Sequence, residues 1–442
     1  MRFRHLIFVI ASFGAVHIAK AEEDLWQVYQ LATESDPTLK AAYANLQANQ
    51  QSLPQAIAQM IPNLSASYNT TGINSNASFQ GDYNPQNYSL NLTQPLYHPE
   101  HWAQLDQARH VVKGAYATYY SATQALMIRV SQQYFAILGA IDDLHFTQAQ
   151  RKAFARQLEQ TKQRFEVGLI AITDVEEARA RHDKAVAEEI AAQNAVADQY
   201  EKLREITGTP IKEITLFQTT KPLPLLAPNP AAQETWVETA EHSNPDIIAA
   251  METTLQAKAV IGTQVAGHYP KFDLTGQLQR SKGAPPFPFD QLVYNRVLAL
   301  NVSVPLFSGG GVYSRTQEAT ARYCEAKERL EIQKRSTDSA TRQAYRGVLT
   351  TISEVQALAQ TVVSSKSALQ ATLAAYEVGT RTMVDVLDAE SNLLNAERTH
   401  AKARYNYLFQ GLKLKQAAGI LTAEDIAAVN ALIRGLERSS AR

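Results

Sequence analysis

Asp385 and Asp388 stand three residues apart in the segment AYEVGTRTMVDVLDA, Ala375 to Ala389, so a helix beginning there carries both carboxylates on one face of its first turns. Nearly the same segment occurs earlier, as RFEVGLIAITDVEEA from Arg164 to Ala178, at an offset of about 211 residues and without a gap. Val167, Gly168, Asp174, Val175 and Ala178 fall on Val378, Gly379, Asp385, Val386 and Ala389. Carboxylates grouped in this way do electrostatic work: they focus negative potential and favour cations. Arg381, in the turn between Gly379 and Asp385, offers a planar fork of donors able to bridge to Asp174 on a neighbouring hairpin. The acids also have a plain structural use. Thr173 to Glu176 fits a capping box, and an acid in a first helical turn suits the helix dipole.

Nothing nearby points to catalysis. There is no G-x-S-x-G elbow, HExxH, P-loop or dinucleotide-binding glycine turn. Gly309-Gly310-Gly311 lacks the Gly-Lys-Ser/Thr of a phosphate loop and reads as a strand-to-helix junction. His98, His101 and His110 lack the spacing of a metal site and are assigned no chemistry. The single cysteine, Cys324, supports neither a disulfide framework nor a zinc site. The expectation is a protein that is not an enzyme, with no cofactor and no metal.

The segments that hold these acids are long and helical. From about His101 to Phe165 and from about Tyr313 to Tyr376 there is no proline, and Val130, Tyr134, Ile137, Ile141 and Leu144 recur with the spacing of a coiled-coil-like seam. Each such helix ends at the Gly of the repeated segment, turns, and re-enters helix at Asp-Val. Return helices run from about Thr173 to Ile206 and Val384 to Ala417. At about 1.5 Å per residue the longer helices reach roughly 100 Å, too long for a monomeric globule to wrap. Half-length helical stretches, Leu25 to about Met60 and Trp236 to about His268, precede the strands. Each half of the chain then makes a two-column rod with strands at one end and the Gly-Asp tip at the other.

After Pro62 the period becomes two. Leu64, Ala66 and Tyr68 alternate with Ser65, Ser67 and Asn69, and Tyr88, Leu90 and Leu92 with Ser89, Asn91 and Thr93 before Pro95. The second half repeats this from Phe272 to Gln279 and from Leu292 to Val304 before Pro305. Four strands of about 10 to 14 residues, apolar on one face and polar but uncharged on the other, have the period of transmembrane barrel strands. Phe79, Tyr83, Tyr88, Phe287, Phe289 and Tyr294 suit either a lipid-interface girdle or the barrel mouth. Tyr119-Tyr120 and Tyr405/Tyr407 read as packing between helices.

These patterns divide the chain into a leader at 1–21, a first structural repeat at 22–208, a Pro-rich linker at 209–235, a second repeat at 236–419 and a C-terminal helix and tail at 420–442. The leader reading rests on MRFRH, the apolar run Leu6 to Ala19, and Ala19-Lys20-Ala21, which has the form of a cleavage site. Removing it takes the formal net charge of -1 to about -4, too mild to argue for nucleic acid. Past residue 21 no apolar run approaches the roughly 18 residues of a spanning helix, which leaves a β-barrel as the route into a membrane.

A sheet in lipid must close, and four strands are too few when the smallest closed barrels need about eight. Three chains would supply about twelve strands and, with two columns per repeat, about twelve helical columns. The expected fold is therefore an α+β membrane protein built by internal tandem duplication: a homotrimeric 12-stranded β-barrel, four strands per chain, continuous with a long 12-helix α-barrel. The competing reading is an exported trimeric stalk or adhesin with a soluble cap of strands.

RFEVGLIAITDV at Arg164 to Val175, EVGTRTMVDVLDA at Glu377 to Ala389, ARYNYL at Ala403 to Leu408 and the Pro-Leu-aromatic strand ends at Pro95 and Pro305 make the further point that the chain resembles the TolC family of outer-membrane channel proteins, over essentially the whole mature length. The resemblance implies a trimeric exit duct in the cell outer membrane, its helical part crossing the periplasm. Such ducts serve tripartite efflux pumps, type I protein secretion or both. The implied partners are outer-membrane lipid, a periplasmic adaptor (membrane fusion) protein and a proton-driven or ATP-driven inner-membrane pump. The resemblance also maps a gate-closing network onto Asp174, Tyr376 and Arg381, a channel constriction onto Asp385 and Asp388, and adaptor-docking hairpin tips onto Gly168, Leu169, Gly379 and Thr380. In a trimer about six carboxylates would crowd one axis, which should raise some of their pKa values.

Overall fold

The computed structural model of the chain describes residues 22–72, 84–217, 223–282 and 292–435. The leader, the strand-joining turns with Phe79, Tyr83, Phe287 and Phe289, and the last residues of the C-terminal tail lie outside the described residues.

The chain runs α1 (Leu25–Ser35), α2 (Pro37–Gln50), α3 (Ser52–Ala58), β1 (Asn63–Thr70), β2 (Gln86–Tyr97), α4 (Pro99–Glu166) and α5 (Ile172–Thr207). It then passes through a linker to α6 (Gln233–Ser243), α7 (Pro245–Val265), β3 (Lys271–Lys282), β4 (Leu292–Ser303), α8 (Gly311–Glu377), α9 (Met383–Ala417) and α10 (Ala423–Ile433). The order half-length helices, two strands, long helix, return helix thus occurs twice. α4 has 68 residues and α8 has 67, each about 100 Å long.

The single helical stretch expected from Leu25 to Met60 is instead three helices. Pro37 lacks an N–H, and the Asp36 side chain accepts from the Leu39 N–H at 2.7 Å, so a new helix starts there. Asn244 before Pro245 does the same for α7, accepting from the Asp246 N–H at 2.9 Å. Asp36 is also gripped from α4 by Arg129, whose two terminal nitrogens each lie 3.0 Å from a carboxylate oxygen.

The four strands form one antiparallel sheet in the order β1-β2-β3-β4. The β2–β3 pairing joins the two halves of the chain, and β1 and β4 are the edges. β1 has eight residues, shorter than expected; the others have 12. Leu64, Leu92, Gly276 and Leu298 lie in one cross-strand row and Tyr68, Tyr88, Arg280 and Tyr294 in another on the same face. Leu64, Leu90, Leu278, Leu298 and Leu300 are exposed in the single chain. Two arginines interrupt the face expected to be apolar. Arg280 and Arg296 share the apolar face, with the Arg280 guanidinium 5.8 Å from the Tyr88 ring centre and 6.0 Å from that of Tyr294. Among the described residues no helix is long and apolar enough to cross a membrane.

The core lies at the waist. Val130, Tyr134 and Ile137 of the α4 seam are fully buried with Leu25, Val28, Leu203 and Leu421. Linker residues Ile211, Ile214 and Phe217 and helix α10, through Ile426 and Ile433, pack into the same cluster. Tyr405 is buried there and its hydroxyl donates to Asp142 Oδ2 at 2.7 Å. Tyr407 instead fastens the linker: its hydroxyl accepts from the Leu226 N–H at 2.9 Å and donates to the Leu226 carbonyl. Tyr119 packs against the core as expected, whereas Tyr120 is exposed in the single chain. Above the waist α2, α3 and α7 flank α4; below it α5 and α9 do.

Candidate functional site: the tip of the two helical hairpins

Both hairpins turn by the same local chemistry. Gly168 and Gly379 have φ of 75° and 76°. At the first tip the Leu169 N–H donates to the Arg164 carbonyl and the Gly168 N–H to the Phe165 carbonyl, both at 2.9 Å. At the second, Thr380 donates to Ala375 at 2.9 Å and Gly379 to Tyr376 at 3.0 Å. This is the Schellman arrangement, in which a left-handed residue lets the chain satisfy the last helical carbonyls and leave. It presents Val167, Leu169 and Val378 at the extremity, each roughly three-quarters exposed: 69%, 73% and 74%.

The helices that leave the tips are capped differently. α5 starts at Ile172 with Ala171 as its cap and no side-chain cap bond, so Thr173 is already inside the helix and the expected Thr173–Glu176 box does not form. The box forms at the other tip. Asp385 Oδ2 accepts from the Thr382 N–H at 2.8 Å and the Thr382 hydroxyl at 2.7 Å, while the Asp385 N–H donates to Thr382 Oγ1 at 3.3 Å. These bonds from Thr382, with Arg381 Nη1 3.6 Å from Oδ1, hold the Asp385 carboxyl below the ordinary aspartate range. Within one chain the direction is therefore opposite to that expected from crowding, because crowding needs neighbouring copies.

Arg381 faces Asp385 on its own hairpin. Asp174 lies in the groove between the hairpins, a cavity of about 320 Å³ that it lines with Arg164, Arg181 and Thr382. Two contacts cross that groove. Arg164 Nη2 donates to the Tyr376 hydroxyl at 3.1 Å, and Arg181 Nη1 lies 3.8 Å from Asp388 Oδ1 while bonding Glu177 at 2.8 Å. Arg164 and Arg181 were missed in the sequence because their partners lie more than 200 residues away. Their presence in or beside the repeated segment was the only signal available. Asp174, Tyr376, Arg381, Asp385 and Asp388 are thus brought to one end of the molecule, with two arginines among them. No side chain there is arranged as a nucleophile with a base.

At the opposite end of α4 a second polar group forms that the spacing did not suggest. His98, Glu100 and His101 bring one potential ligand atom each within 4.8 Å of one another.

The profile of the "Outer membrane efflux protein" family matches residues 28–209 and again residues 236–420. The chain is 35% identical over 430 residues to outer membrane protein TolC of Vibrio cholerae serotype O1, covering 96% of this chain and 97% of that one. It is 27% identical over 432 residues to the alkaline protease secretion protein AprF of Pseudomonas aeruginosa, covering 95% and 90%. Among solved structures, the Campylobacter jejuni CmeC outer membrane channel superposes with a TM-score of 0.78 at 17% identity over 99% of this chain and 98% of that one. The sheet, the paired long hairpins and the two-fold match to one family profile agree: this chain belongs to the outer membrane efflux protein family, passive channels of the outer membrane whose helical part stands in the periplasm.

Proposed function

We propose that three copies of this chain close a twelve-stranded barrel in the outer membrane above a twelve-column helical duct, and that the duct is gated at its tip. The observation that carries the reading is the four-stranded sheet with two open edges, β1 and β4, attached to helices about 100 Å long. Unpaired edge groups in lipid cost several kcal/mol each, so β1 of one copy pairs with β4 of the next, and the common axis becomes the conduit. Chains so arranged also stem from one duplicated unit, each half contributing two strands and two columns.

At the tip, Asp385 and Asp388 line the constriction. Asp174, Tyr376 and Arg381 belong to the closing network, to which the geometry adds Arg164 and Arg181. Each link is exposed and worth about 0.2 to 1 kcal/mol, so closure depends on several acting together and yields to a partner that binds the tips. The apolar extremities around Gly168, Leu169, Gly379 and Thr380 fit a periplasmic adaptor. Because the chain has no nucleotide-binding motif, energy comes from an inner-membrane pump, proton-driven or ATP-driven. The cargo is small toxic compounds or proteins; the relationship to a protein named for protease secretion supports the second.

Conductance in planar bilayers tests this. The parent should show small, cation-preferring currents blocked by multivalent cations. Asp385→Ala with Asp388→Ala should weaken both properties, and a double variant indistinguishable from the parent would remove these residues from the constriction.

A further inference from the structure

We propose that the corner between β2 and α4 binds one divalent transition-metal ion of the zinc class through His98, Glu100 and His101. His98 precedes α4 in an extended conformation (φ -136°, ψ 93°), with Pro99 beginning the helix and Glu100 and His101 in its first turn. That backbone folds residue 98 back over residue 101, and the two imidazoles stack with centroids 4.7 Å apart and planes 14° from parallel.

The hydrogen-bond inventory of His98 makes the argument. Its Nε2 lies 3.0 Å from Asp273 Oδ1 on β3 and its Nδ1 lies 3.2 Å from Glu100 Oε1. A neutral imidazole has a single N–H, so it can satisfy one carboxylate and must turn a lone pair on the other. Asp273 occupies the supporting position found behind metal-bound histidines, where a carboxylate takes one ring N–H and aims the other nitrogen at the ion. The remaining gap, between Nδ1 and Glu100, calls for a cation.

Glu100 offers a free site for one. Its Oε1 is shared by His98 and by Lys271 Nζ, whereas Oε2 is buried with no hydrogen-bond partner among the described residues. Lys271 therefore leaves one carboxylate oxygen available rather than filling the site. The His101 side chain takes part in none of the hydrogen bonds of the cluster and lies stacked on His98, which leaves its ring nitrogens available to an ion. Two imidazoles and a carboxylate suit zinc, copper or nickel rather than magnesium or calcium. The ligand atoms span up to 4.8 Å; bonds of about 2.0 to 2.2 Å would draw them together by on the order of 1 Å, within the reach of side-chain rotation. A bound ion would tie the start of β3, through Asp273, to the corner where sheet and helices meet.

The competing occupant is a proton, which would make His98 an imidazolium bridging two carboxylates. The full chain, solubilised in detergent and stripped with a chelator, is titrated with zinc at neutral pH, with magnesium as control. The expected result is one zinc per chain, no comparable binding of magnesium, and an X-ray absorption edge showing two imidazoles and a carboxylate around zinc. His101→Asn and Glu100→Gln should each lower affinity at least about 10-fold, while His110→Ala, whose parent residue pairs with Glu252 and Asp106 instead, should leave it unchanged. His101→Asn is the informative variant, since it leaves the His98–Asp273 contact intact. No saturable zinc, a zinc environment without imidazole, or parental affinity in both variants would overturn the site and leave the proton as the occupant.

Discussion

Arg164, in the last turn of α4, donates to the hydroxyl of Tyr376, in the last turn of α8, at 3.1 Å. This single bond links the two hairpins of one chain at the level where they turn, and with Arg181 and Asp388 it spans the groove that Asp174 lines. The two hairpins are held together inside the chain by the same kinds of group that would close the tip between chains.

Tyr376→Phe removes only the hydroxyl and should loosen the tip. An exposed link of this kind is worth up to about 1 kcal/mol, which shifts the open population by up to about fivefold. Single-channel recording should show more frequent open events in Tyr376→Phe and in Arg164→Ala, and no larger effect when the two are combined. Additive effects would mean that the residues act through different partners.

Bonds from the Thr382 N–H and hydroxyl lower the pKa of the Asp385 carboxyl, so removing the hydroxyl should raise it. The cation preference of Thr382→Val should accordingly be lost at a higher pH than that of the parent as the solution is acidified. A midpoint unchanged by the substitution would show that the cap does not govern the charge of the proposed constriction.

Asp36 is buried at the waist. Burial pushes its pKa up, but the Arg129 guanidinium and the Leu39 N–H outweigh it and bring the carboxyl below the ordinary value. A lowered native pKa means that its stabilisation is present in full above the unfolded value of about 3.9 and fades as pH falls through the native one. Asp36→Ala removes the cap of α2 and both Arg129 bonds. It should cost about 2 to 3 kcal/mol in thermal or chemical unfolding at neutral pH, with the difference from the parent shrinking under acid.

Two glycines with nearly equal φ should respond unequally. Around Gly168 nothing lies within 4 Å of an added Cβ, so Gly168→Ala carries only the backbone cost of about 1 kcal/mol. At Gly419, which ends the α9 region, an added Cβ would meet Asn244 Cα and Ser243 O at 2.5 Å. Gly419→Ala should therefore unfold the waist far more readily than Gly168→Ala disturbs the tip, as measured by melting of the solubilised channel.

Much of this architecture was legible in the sequence for identifiable reasons. The long helices run to within about two residues of expectation because they have no proline past the first position and end at a glycine that must take positive φ. The strands were legible from alternation, though β1 proved shorter. What escaped was long-range or competitive. The break at Asp36 is set by a side chain that caps forward and pairs with Arg129 on another helix, and Pro37 alone did not establish it. The capping box expected at Thr173 does not form because the helix begins one residue sooner, at Ile172; the cap position there is Ala171, which has no side-chain acceptor, whereas its counterpart in the second repeat is Thr382, which caps. His98 and His101 looked inert because Glu100 on α4 and Asp273 and Lys271 on β3 complete the cluster, and the β3 residues lie more than 160 positions away, where spacing along the chain carries no trace of them.

The mass of the detergent-solubilised channel, measured by native mass spectrometry, bears most directly on the central claim that one sheet with two open edges is completed by identical copies. The account predicts a particle of three chains that conducts ions when returned to a bilayer. A stable monomer with the same sheet would contradict it.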